Sequence, residues 1–383
     1  MKRIGIVILI LSVCFVPAAL AQKTITCPPT VNWTEFHTVD MARYNPCETV
    51  LGVNNVGSLQ LKWSYSTGGN VNPSPMVVNG VAYFGSEDNN VYALNANTGA
   101  LLWSYPTGGF ADAAPAVANG VVYAGSLDGN LYALRASTGA LLWNYPTGAI
   151  EWGSPTVAGG VVYVGSNADA VFYALDAKTG ALRWSYPMCW HLDSSPAVSN
   201  GVVYVGDWCG NTYALNASTG VLLWRSSIVG GLVYRGPAVA NGMVYIGSNA
   251  GTIYALKADT GAEVWSFYTG GGIYASPAVA NGFVYIGSKA QKLYALSAKT
   301  GALLGSFTGP GDIVGSPAVA NGVIYVGASD FGQDKNGYTY ALDAHTGAVL
   351  WTGAGHSDSS PTVVNGMVYV SSGDNSVDAY GLP

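Results

Sequence analysis

Charged side chains are scarce in this sequence of 383 residues. Asp, Glu, Lys and Arg make up only 9% of the chain, whereas an average soluble domain has about 25%. The 15 basic and 21 acidic residues give a formal net charge of -6, and no cluster of Lys or Arg follows the first three positions. Because a nucleic-acid-binding protein carries a basic patch, no nucleic-acid partner is expected. The negative charge argues against anionic partners generally.

The sequence also lacks helical periodicity and long apolar runs. No segment repeats its apolar residues with the 3.6-residue period of an amphipathic helix. Beyond the N-terminus, no apolar stretch reaches the ~18 residues needed to cross a bilayer. We therefore expect neither a helical fold nor a membrane span.

Cysteine spacings that serve metal, haem or redox chemistry are absent. None of the 5 cysteines forms a CxxC pair. This excludes a zinc knuckle, a thioredoxin-like dithiol and a CxxCH haem attachment. Four cysteines lie beyond the N-terminal apolar run, and an even number in an exported chain indicates disulfides.

The first 21 residues have the pattern of a secretory signal peptide. Two basic residues follow Met1, residues 4–16 are apolar, and residues 19–21 form an Ala-x-Ala cleavage site. We predict cleavage after Ala21 and export to the periplasm or the extracellular space. Lipid anchoring at Cys14 is the alternative, because residues 11–14 resemble a lipobox, although Val13 is bulky where a small residue is needed.

An eleven-residue phrase occurs seven times in the chain. It reads ALNANTGALLW at residues 93–103 and returns with small changes at positions 133, 174, 214, 255, 295 and 341. The phrase belongs to a unit of about 40 residues that occurs eight times. Each unit has an anchor proline: Pro75, Pro115, Pro155, Pro196, Pro237, Pro277, Pro317 and Pro361.

Each unit contains four short strand segments, A to D. The A–B turn is Asn-Gly in seven units and Gly159-Gly160 in the other, which suits a type I′ hairpin. We expect the Thr-Gly turn of the repeated phrase to join C and D in the same way. Four short strands every ~40 residues are typical of a propeller blade. The predicted fold is therefore all-β, an eight-bladed β-propeller of four-stranded antiparallel blades.

A solenoid is the alternative fold, and the two ends of the array argue against it. The eighth unit ends near Pro383 without a fourth strand, whereas an extra strand at residues 59–65 precedes the first unit. We infer that this strand completes blade 8 and closes the ring, which removes exposed sheet edges. The predicted domains are the signal peptide (1–21), an N-terminal extension (22–58) and the propeller (59–383).

A tryptophan follows the Thr-Gly turn, on strand D, in most units. We predict that this side chain packs against the neighbouring blade at the corner formed by the turn. The seven residues are Trp63, Trp103, Trp143, Trp184, Trp224, Trp265 and Trp351. Gly305 takes this position in the remaining unit, so we expect its blade join to be the loosest.

The repeated phrase resembles the tryptophan-docking motif of the pyrroloquinoline quinone (PQQ) enzyme repeat family, A-x-D-x-x-T-G-x-x-x-W. Asp176 and Asp343 match the third position, and Asn95 and Asn216 are close to it. The resemblance covers roughly residues 59–380 and implies the propeller fold. The same repeat occurs in quinoprotein dehydrogenases and in non-catalytic propellers such as the outer-membrane assembly lipoprotein, so it leaves the function open.

The variable loops are expected on one face of the propeller. The A–B and C–D turns barely vary, whereas the D–A connectors and B–C loops do, and a repeat protein individualises the face it uses. The residue three before each anchor proline begins the innermost strand and, by alternation, faces the central channel. This candidate ligand ring comprises Asn72, Asp112, Trp152, Asp193, Tyr234, Tyr274 and Asp358, with Val314 at the remaining position.

The chemistry of this ring allows two kinds of ligand. Its three aspartates offer the oxygen ligands that Ca²⁺ prefers, and Trp152 or a tyrosine could stack on a planar ligand. A solvated channel entrance without a ligand is the alternative.

His191 and His356 each lie two residues before an aspartate of the ring. Residues two apart on a strand point the same way, as a general base and its orienting carboxylate or two metal ligands would. The two blades are opposite each other, so the pairs should not share one metal. Descent from one ancestral blade explains their similarity equally well.

Two disulfides are predicted, and both are interpreted as structural staples because nothing indicates an activated thiolate. Cys189 and Cys209 lie in a D–A connector and a B–C loop of one blade, on the same face. Cys27 and Cys47 would close the N-terminal extension, whose Trp33 and Phe36 are interpreted as packing residues. The insertion at residues 329–337 is interpreted as a polar lid, since its acidic spacing does not match an EF-hand.

These observations predict an exported, non-catalytic binding or scaffold protein that uses the variable face. We expect a monomer whose partner is a protein, a glycan or a small molecule. The alternative, implied by the resemblance, is an alcohol or sugar dehydrogenase that uses PQQ and Ca²⁺. The sequence departs from that branch because it has no adjacent Cys-Cys pair, no haem domain and no long insertions. No catalytic residue and no metal ligand are therefore assigned.

Overall fold

The structure is a computed structural model that describes residues 27, 31–37, 41–227, 231–328, 337–354, 360–372 and 374–383. The predicted signal peptide with Cys14, the pair His356 and Asp358, and most of the inserted loop at 329–337 lie outside the described residues. Within the described part, no helix is long and apolar enough to cross a membrane.

Eight sheets form the blades of the described part of the chain, and each blade has four antiparallel strands, to which blade 7 adds a fifth strand. The strands up to the end of blade 4 are β1 (Tyr44–Asn45), β2 (Gln60–Ser66), β3 (Met76–Val78), β4 (Val81–Ser86), β5 (Asn90–Asn95), β6 (Leu101–Pro106), β7 (Ala116–Ala118), β8 (Val121–Gly125), β9 (Asn130–Arg135), β10 (Leu141–Pro146), β11 (Thr156–Ala158), β12 (Val161–Gly165), β13 (Val171–Asp176), β14 (Leu182–Pro187), β15 (Ala197–Ser199), β16 (Val202–Gly206), β17 (Asn211–Asn216) and β18 (Leu222–Ser227). Those of blades 5 to 8 are β19 (Ala238–Ala240), β20 (Met243–Gly247), β21 (Thr252–Lys257), β22 (Glu263–Tyr268), β23 (Ala278–Ala280), β24 (Phe283–Ser288), β25 (Lys292–Ser297), β26 (Leu303–Thr308), β27 (Ala318–Ala320), β28 (Val323–Ala328), β29 (Tyr338–Asp343), β30 (Val349–Ala354), β31 (Thr362–Val364), β32 (Met367–Ser372) and β33 (Ser376–Gly381). A short 3-10 helix, η1 (Val56–Ser58), precedes β2. The predicted eight-bladed propeller is confirmed.

Strand β2 closes the ring, as predicted from the ends of the repeat array. It pairs antiparallel with β33, with Trp63 opposite Ala379 and Tyr65 opposite Val377. Blade 8 therefore combines the last three strands of the chain with its first long strand. Blade 7 has an additional inner strand, because β1 pairs parallel with β27.

The A–B turns have the predicted conformation, and the Thr-Gly turns differ from it. Both residues of each A–B turn have positive φ, as at Asn79 (51°) and Gly80 (77°), which matches a type I′ turn. In the Thr-Gly turns the glycine has positive φ, as at Gly99 (71°), but the threonine does not. The register shifts next to this turn, between Ala93 and Leu94 in blade 1. A β-bulge therefore accompanies the C–D turn.

From blade 1 to blade 7, neighbouring blades pack through an apolar residue of the D–A connector and a glycine of the preceding blade. Leu192 contacts Gly165, and Ile313 contacts Gly287, so closely that a side chain at the glycine would clash. In blade 3 this residue is Ile150, which contacts Gly125. The connector of blade 3 is thus shifted by one residue, which explains why Glu151 interrupts the apolar pattern of the sequence.

Six tryptophans lie against the Thr-Gly turn of the next blade. In blade 2, the Trp143 ring covers Gly180 of blade 3, where an added Cβ would lie 2.7 Å from the indole. The Trp143 indole N–H donates to the Ala177 carbonyl (3.2 Å), and the Tyr123 hydroxyl donates to the same oxygen (2.9 Å). The same two-donor arrangement joins the pairs Trp63 and Tyr369, Trp103 and Tyr83, Trp184 and Tyr163, Trp224 and Tyr204, and Trp265 and Tyr245.

Two blade joins depart from this arrangement. Gly305 replaces the tryptophan of blade 6, and a Cβ added at the facing Gly347 would have no atom within 4 Å. Blade 8 has no Thr-Gly turn, so Trp351 donates instead to the Leu59 carbonyl (3.1 Å) after η1. It also packs edge-on against Tyr380, with ring centroids 4.9 Å apart.

Part of the N-terminal extension lies in the central channel. We call residues 31–37 and 41–45 the channel segment. Trp33 exchanges two backbone hydrogen bonds with Val77 of blade 1 (2.7 and 3.0 Å). In blades 2, 5, 6 and 7, the inner-strand N–H groups of Val117, Val239, Val279 and Val319 donate to the carbonyls of Thr34, Met41, Ala42 and Arg43. The channel segment therefore satisfies inner-strand groups that would otherwise face an open channel.

Both predicted disulfides are present. Cys27 is bonded to Cys47 and Cys189 to Cys209. The first closes a loop that includes the channel segment. The second joins a D–A connector to a B–C loop on the variable face.

Candidate functional site

A cavity of about 340 Å³ lies at the variable face, in the mouth of the channel. Its wall contains six residues three before an anchor proline, namely Asn72, Asp112, Trp152, Tyr234, Tyr274 and Val314. The ring of Phe36, from the channel segment, also lines it. We call this space the mouth cavity. It has the volume of a small-ligand site.

On one side of the mouth cavity, acidic side chains are linked by hydrogen bonds to their neighbours. The Asn72 amide donates to Asp112 Oδ1 (3.0 Å) and to Glu87 Oε1 (2.8 Å). The Trp152 indole N–H donates to Asp112 Oδ2 (3.1 Å). Burial raises the pKa of Asp112 to about 6, and nearby Glu87 adds to this, whereas the two donors and Arg235 oppose it. Asp112 is thus a fixed acceptor that changes charge in mildly acidic conditions.

The opposite side of the mouth cavity is aromatic and cationic. Tyr234 and Tyr274 line this side with ring centroids 4.9 Å apart, and Trp208, outside the lining, lies 4.9 Å from Tyr234 by the same measure. Lys289 Nζ lies 4.3 Å from the centroid of Tyr274, within the range of a cation–π contact. Arg235 also lines the cavity, and its Nε donates to the Tyr274 carbonyl (3.3 Å). This side can stack on a flat ligand face and attract negative charge.

The floor of the mouth cavity is held from below by Arg43, which is completely buried. Its guanidinium donates to the carbonyls of Phe36 (2.6 Å), Pro317 (3.0 Å) and Pro361 (3.1 Å). It also lies 4.6 Å from the ring centroid of Phe36. Burial, and secondarily the charge of Arg235, lower the pKa of Arg43 to about 9. A single side chain therefore joins the channel segment to blades 7 and 8.

Comparison with protein families identifies the same repeat that the sequence shows. The family model described as outer membrane protein assembly factor BamB matches residues 106–191, 187–274, 249–354 and 331–381, which together exceed half of the chain. The chain belongs to the PQQ-like β-propeller repeat family. A second model, described as the β-propeller domain of glucose, ethanol and alcohol dehydrogenases, matches residues 33–112 of this PQQ-like propeller. Comparison with curated proteins found no significant match.

Solved structures similar to this PQQ-like propeller include a BamB protein and two dehydrogenases. BamB from Moraxella catarrhalis has a TM-score of 0.71 at 19% identity, with 85% of this chain and 100% of that chain covered. Quinohemoprotein alcohol dehydrogenase from Comamonas testosteroni has a TM-score of 0.76 at 17% identity, with coverages of 92% and 81%. A europium-containing methanol dehydrogenase has a TM-score of 0.76 at 16% identity, with coverages of 93% and 98%. At these identities the likeness shows the fold alone.

The described carboxylates of this PQQ-like propeller do not fit a calcium centre. Both oxygens of Asp112 already accept N–H groups. Among the described residues, one group of three potential metal ligands is close together, Cys189, Asp207 and Cys209, but its cysteines form a disulfide. Asp207 itself accepts from Asn211 and Tyr213 (3.1 and 2.8 Å at Oδ2). A planar polycarboxylate such as PQQ would find suitable groups in Arg235, Lys289 and the aromatic rings.

Asp193 and His191 are placed differently from the expectation, whereas Asp358 and His356 lie outside the described residues. Asp193 is 0% exposed and lies outside the mouth cavity lining, because its carboxylate turns to the Asn167 amide. Burial raises its pKa, against the effect of Asn167 and Arg235. His191 packs on Trp208, with ring centroids 4.7 Å apart. Arg43 and Lys289 neighbour the site although neither lies at a ring position, so the repeat pattern did not point to them.

Proposed function

We propose that this chain is an exported, non-catalytic PQQ-like propeller that binds a small molecule in the mouth cavity. The observation that carries this proposal is the channel segment beneath the cavity. Arg43 ties Phe36 to backbone carbonyls of blades 7 and 8. The mouth cavity is thus a cup with a fixed floor that opens to the variable face.

The lining of the cup supports small-molecule binding. A ligand pocket combines apolar and aromatic walls with a few polar groups that fix orientation. Here Tyr234, Tyr274 and Trp152 supply the rings, and Asn72 and Asp112 supply hydrogen-bonding groups of both kinds. These side chains are held by one another before a ligand arrives, so little order is lost on binding.

Export is part of the proposal. The N-terminal pattern of a signal peptide and two disulfides suit an oxidising compartment. The partner bound at the variable face could also be a protein, which is compatible with the fold likeness to BamB.

A PQQ- and Ca²⁺-dependent dehydrogenase is the alternative function. It is favoured by the family match to a dehydrogenase propeller domain over residues 33–112 and by Arg235 and Lys289 in the mouth cavity. The hydrogen bonds of Asp112 disfavour this function, because each carboxylate oxygen that could bind Ca²⁺ already accepts a protein N–H group.

Calorimetric titration of the oxidised protein with PQQ, with and without Ca²⁺, separates the two functions. Calcium-dependent binding that Asp112→Asn abolishes would overturn the non-catalytic proposal and justify a dye-linked screen of alcohols and sugars. Without such binding, a thermal-shift screen of small sugars, organic acids and amines would search for the ligand.

Variants then locate the binding site. We expect Tyr234→Ala to lose the shift produced by a hit, whereas Asn200→Gly, a change in an exposed A–B turn, should keep it. Hits that survive Tyr234→Ala would contradict the mouth cavity as the site. A cooperatively melting protein with no hit would favour the scaffold role with a protein partner.

A further inference from the structure

A second cavity, of about 400 Å³, lies on the opposite face of the propeller, beside the A–B turns of blades 1 and 2. We call it the turn-face cavity. Its walls are partly apolar and partly polar, and Val78, Val117, Ala118 and Ala136 supply apolar surface. Amide groups of Asn79 and Asn119 also line it. The proposed function assigns no role to this space.

Glu35 is the one acidic or basic side chain among the described residues that line the turn-face cavity. It belongs to the channel segment and is only 4% exposed. Its Oε2 accepts the backbone N–H of Val157 (3.1 Å). Among the described residues, Glu35 has no ion-pair partner. A buried carboxyl group therefore borders a cavity without a counter-charge.

This arrangement is costly for a group with a purely structural role. Burying an ionised carboxylate without a cation is strongly unfavourable. Accordingly, burial raises the pKa of Glu35 to about 8, although the Val157 N–H opposes the shift. A glutamine could accept the same N–H without that cost. A carboxyl group adds the capacity to pair with a cation inside the cavity.

We propose that the turn-face cavity binds a primary alkylammonium ion, with the ammonium paired to Glu35 and the methylene chain against Val78, Val117 and Ala136. A metal ion fits less well, because hard cations require several oxygen ligands and Glu35 is the one carboxyl group among the described residues that line this cavity. The net charge of -6 also favours the approach of cations. This cavity is distinct from the mouth cavity, although Glu35 precedes Phe36 of the mouth cavity lining in the channel segment.

Binding of the ammonium ion should expel the proton of Glu35. The ammonium ion binds the ionised form of Glu35. The affinity should therefore rise between pH 6 and pH 8, because the free energy needed to deprotonate Glu35 falls as the pH rises. The other titratable groups nearby stay neutral in this range. Burial raises the pKa of Tyr83, which lines the cavity. Burial and the charge of Arg43 lower the pKa of His37 to about 3.

Calorimetric titration with butylammonium chloride tests the proposal, with 1-butanol as the uncharged probe. We expect butylammonium binding that strengthens with pH, with a heat that depends on the ionisation enthalpy of the buffer because protons are released. Glu35→Gln should weaken binding by at least about tenfold, whereas Glu263→Gln, at an exposed carboxyl of strand β22, should leave it unchanged.

Two outcomes would overturn the proposal. One is equal affinity of the original protein and Glu35→Gln for butylammonium; the other is no binding at millimolar concentration. The melting curve of Glu35→Gln checks that the variant is folded. Because the probe site and the mouth cavity are on opposite faces, Tyr234→Ala should bind butylammonium normally.

Discussion

The guanidinium of Arg43 lies 4.6 Å from the ring centroid of Phe36 and donates to the Phe36 carbonyl. Phe36 lines the mouth cavity, and Arg43 supports it from within the channel. The other two carbonyls that Arg43 reaches belong to Pro317 and Pro361. The shape of the cavity floor therefore depends on a contact between the N-terminal extension and the last two blades.

Replacing Arg43 should destabilise the protein. Arg43→Met keeps an apolar stem but leaves three buried carbonyls without their donor, and each unsatisfied group costs about 1 to 3 kcal/mol unless it relaxes. We expect the free energy of unfolding to fall by about 3 kcal/mol, measured by urea denaturation.

Arg183→Met is the matched control for this change. Its guanidinium forms an exposed ion pair with Asp176 (2.6 Å), which contributes about 1 kcal/mol or less. An equal loss in the two variants would contradict the role of Arg43.

Trp143→Ala should remove the contact between blades 2 and 3. The change uncovers Gly180 and leaves Tyr123 as the one donor of the pair to the Ala177 carbonyl. Because Trp143 is partly buried, its truncation should cost less than the about 3 to 5 kcal/mol of a fully buried aromatic side chain. Calorimetric melting measures the loss, and a melting temperature unchanged within error would refute the docking interpretation.

Gly305→Trp should stabilise the protein by restoring the missing contact between blades 6 and 7. Nothing lies within 4 Å of a Cβ added at Gly305 or at Gly347 of the facing turn, and the Tyr285 hydroxyl is 3.5 Å from the Ala344 carbonyl. An indole at position 305 should fill the space against Gly347 and supply a second hydrogen-bond donor to the Ala344 carbonyl. We expect a gain of about 0.5 to 2 kcal/mol, as for other cavity-filling changes. Gly305→Ala is the control, and equal stability of both variants would show that the slot does not accept an indole.

The fold was predictable because each blade repeats the same local signals. The Asn-Gly turns and the strand at residues 59–65 gave the hairpins and the ring closure directly. Alternation along the inner strands also placed Asn72 and Asp112 correctly at the mouth of the channel. It failed for Asp193, because the Asn167 amide draws that carboxylate into the interior, a contact 26 residues distant in sequence.

The floor of the site could not be predicted from local pattern. Arg43 lies outside the repeat, and its partners Pro317 and Pro361 are 274 and 318 residues away. They offer backbone carbonyls, which any residue type would provide. Glu35 is a similar case, since its partner is the backbone N–H of Val157. The sequence of the extension indicated packing by Trp33 and Phe36 but not a path through the channel.

Glu35 should make stability depend on pH. Its pKa is about 8 in the folded protein, against 4.5 as the ordinary value, so the folded state binds more protons than the unfolded state between these values. The free energy of unfolding should therefore fall as the pH rises through this window. Glu35→Gln lacks the titration and should be more stable above pH 8, by at most about 5 kcal/mol. Urea denaturation at a series of pH values from 5 to 9 measures the slope, with Glu263→Gln as the control. A Glu35→Gln slope identical to that of the unsubstituted protein would show that this carboxyl group titrates normally, and the turn-face cavity would then hold no uncompensated charge.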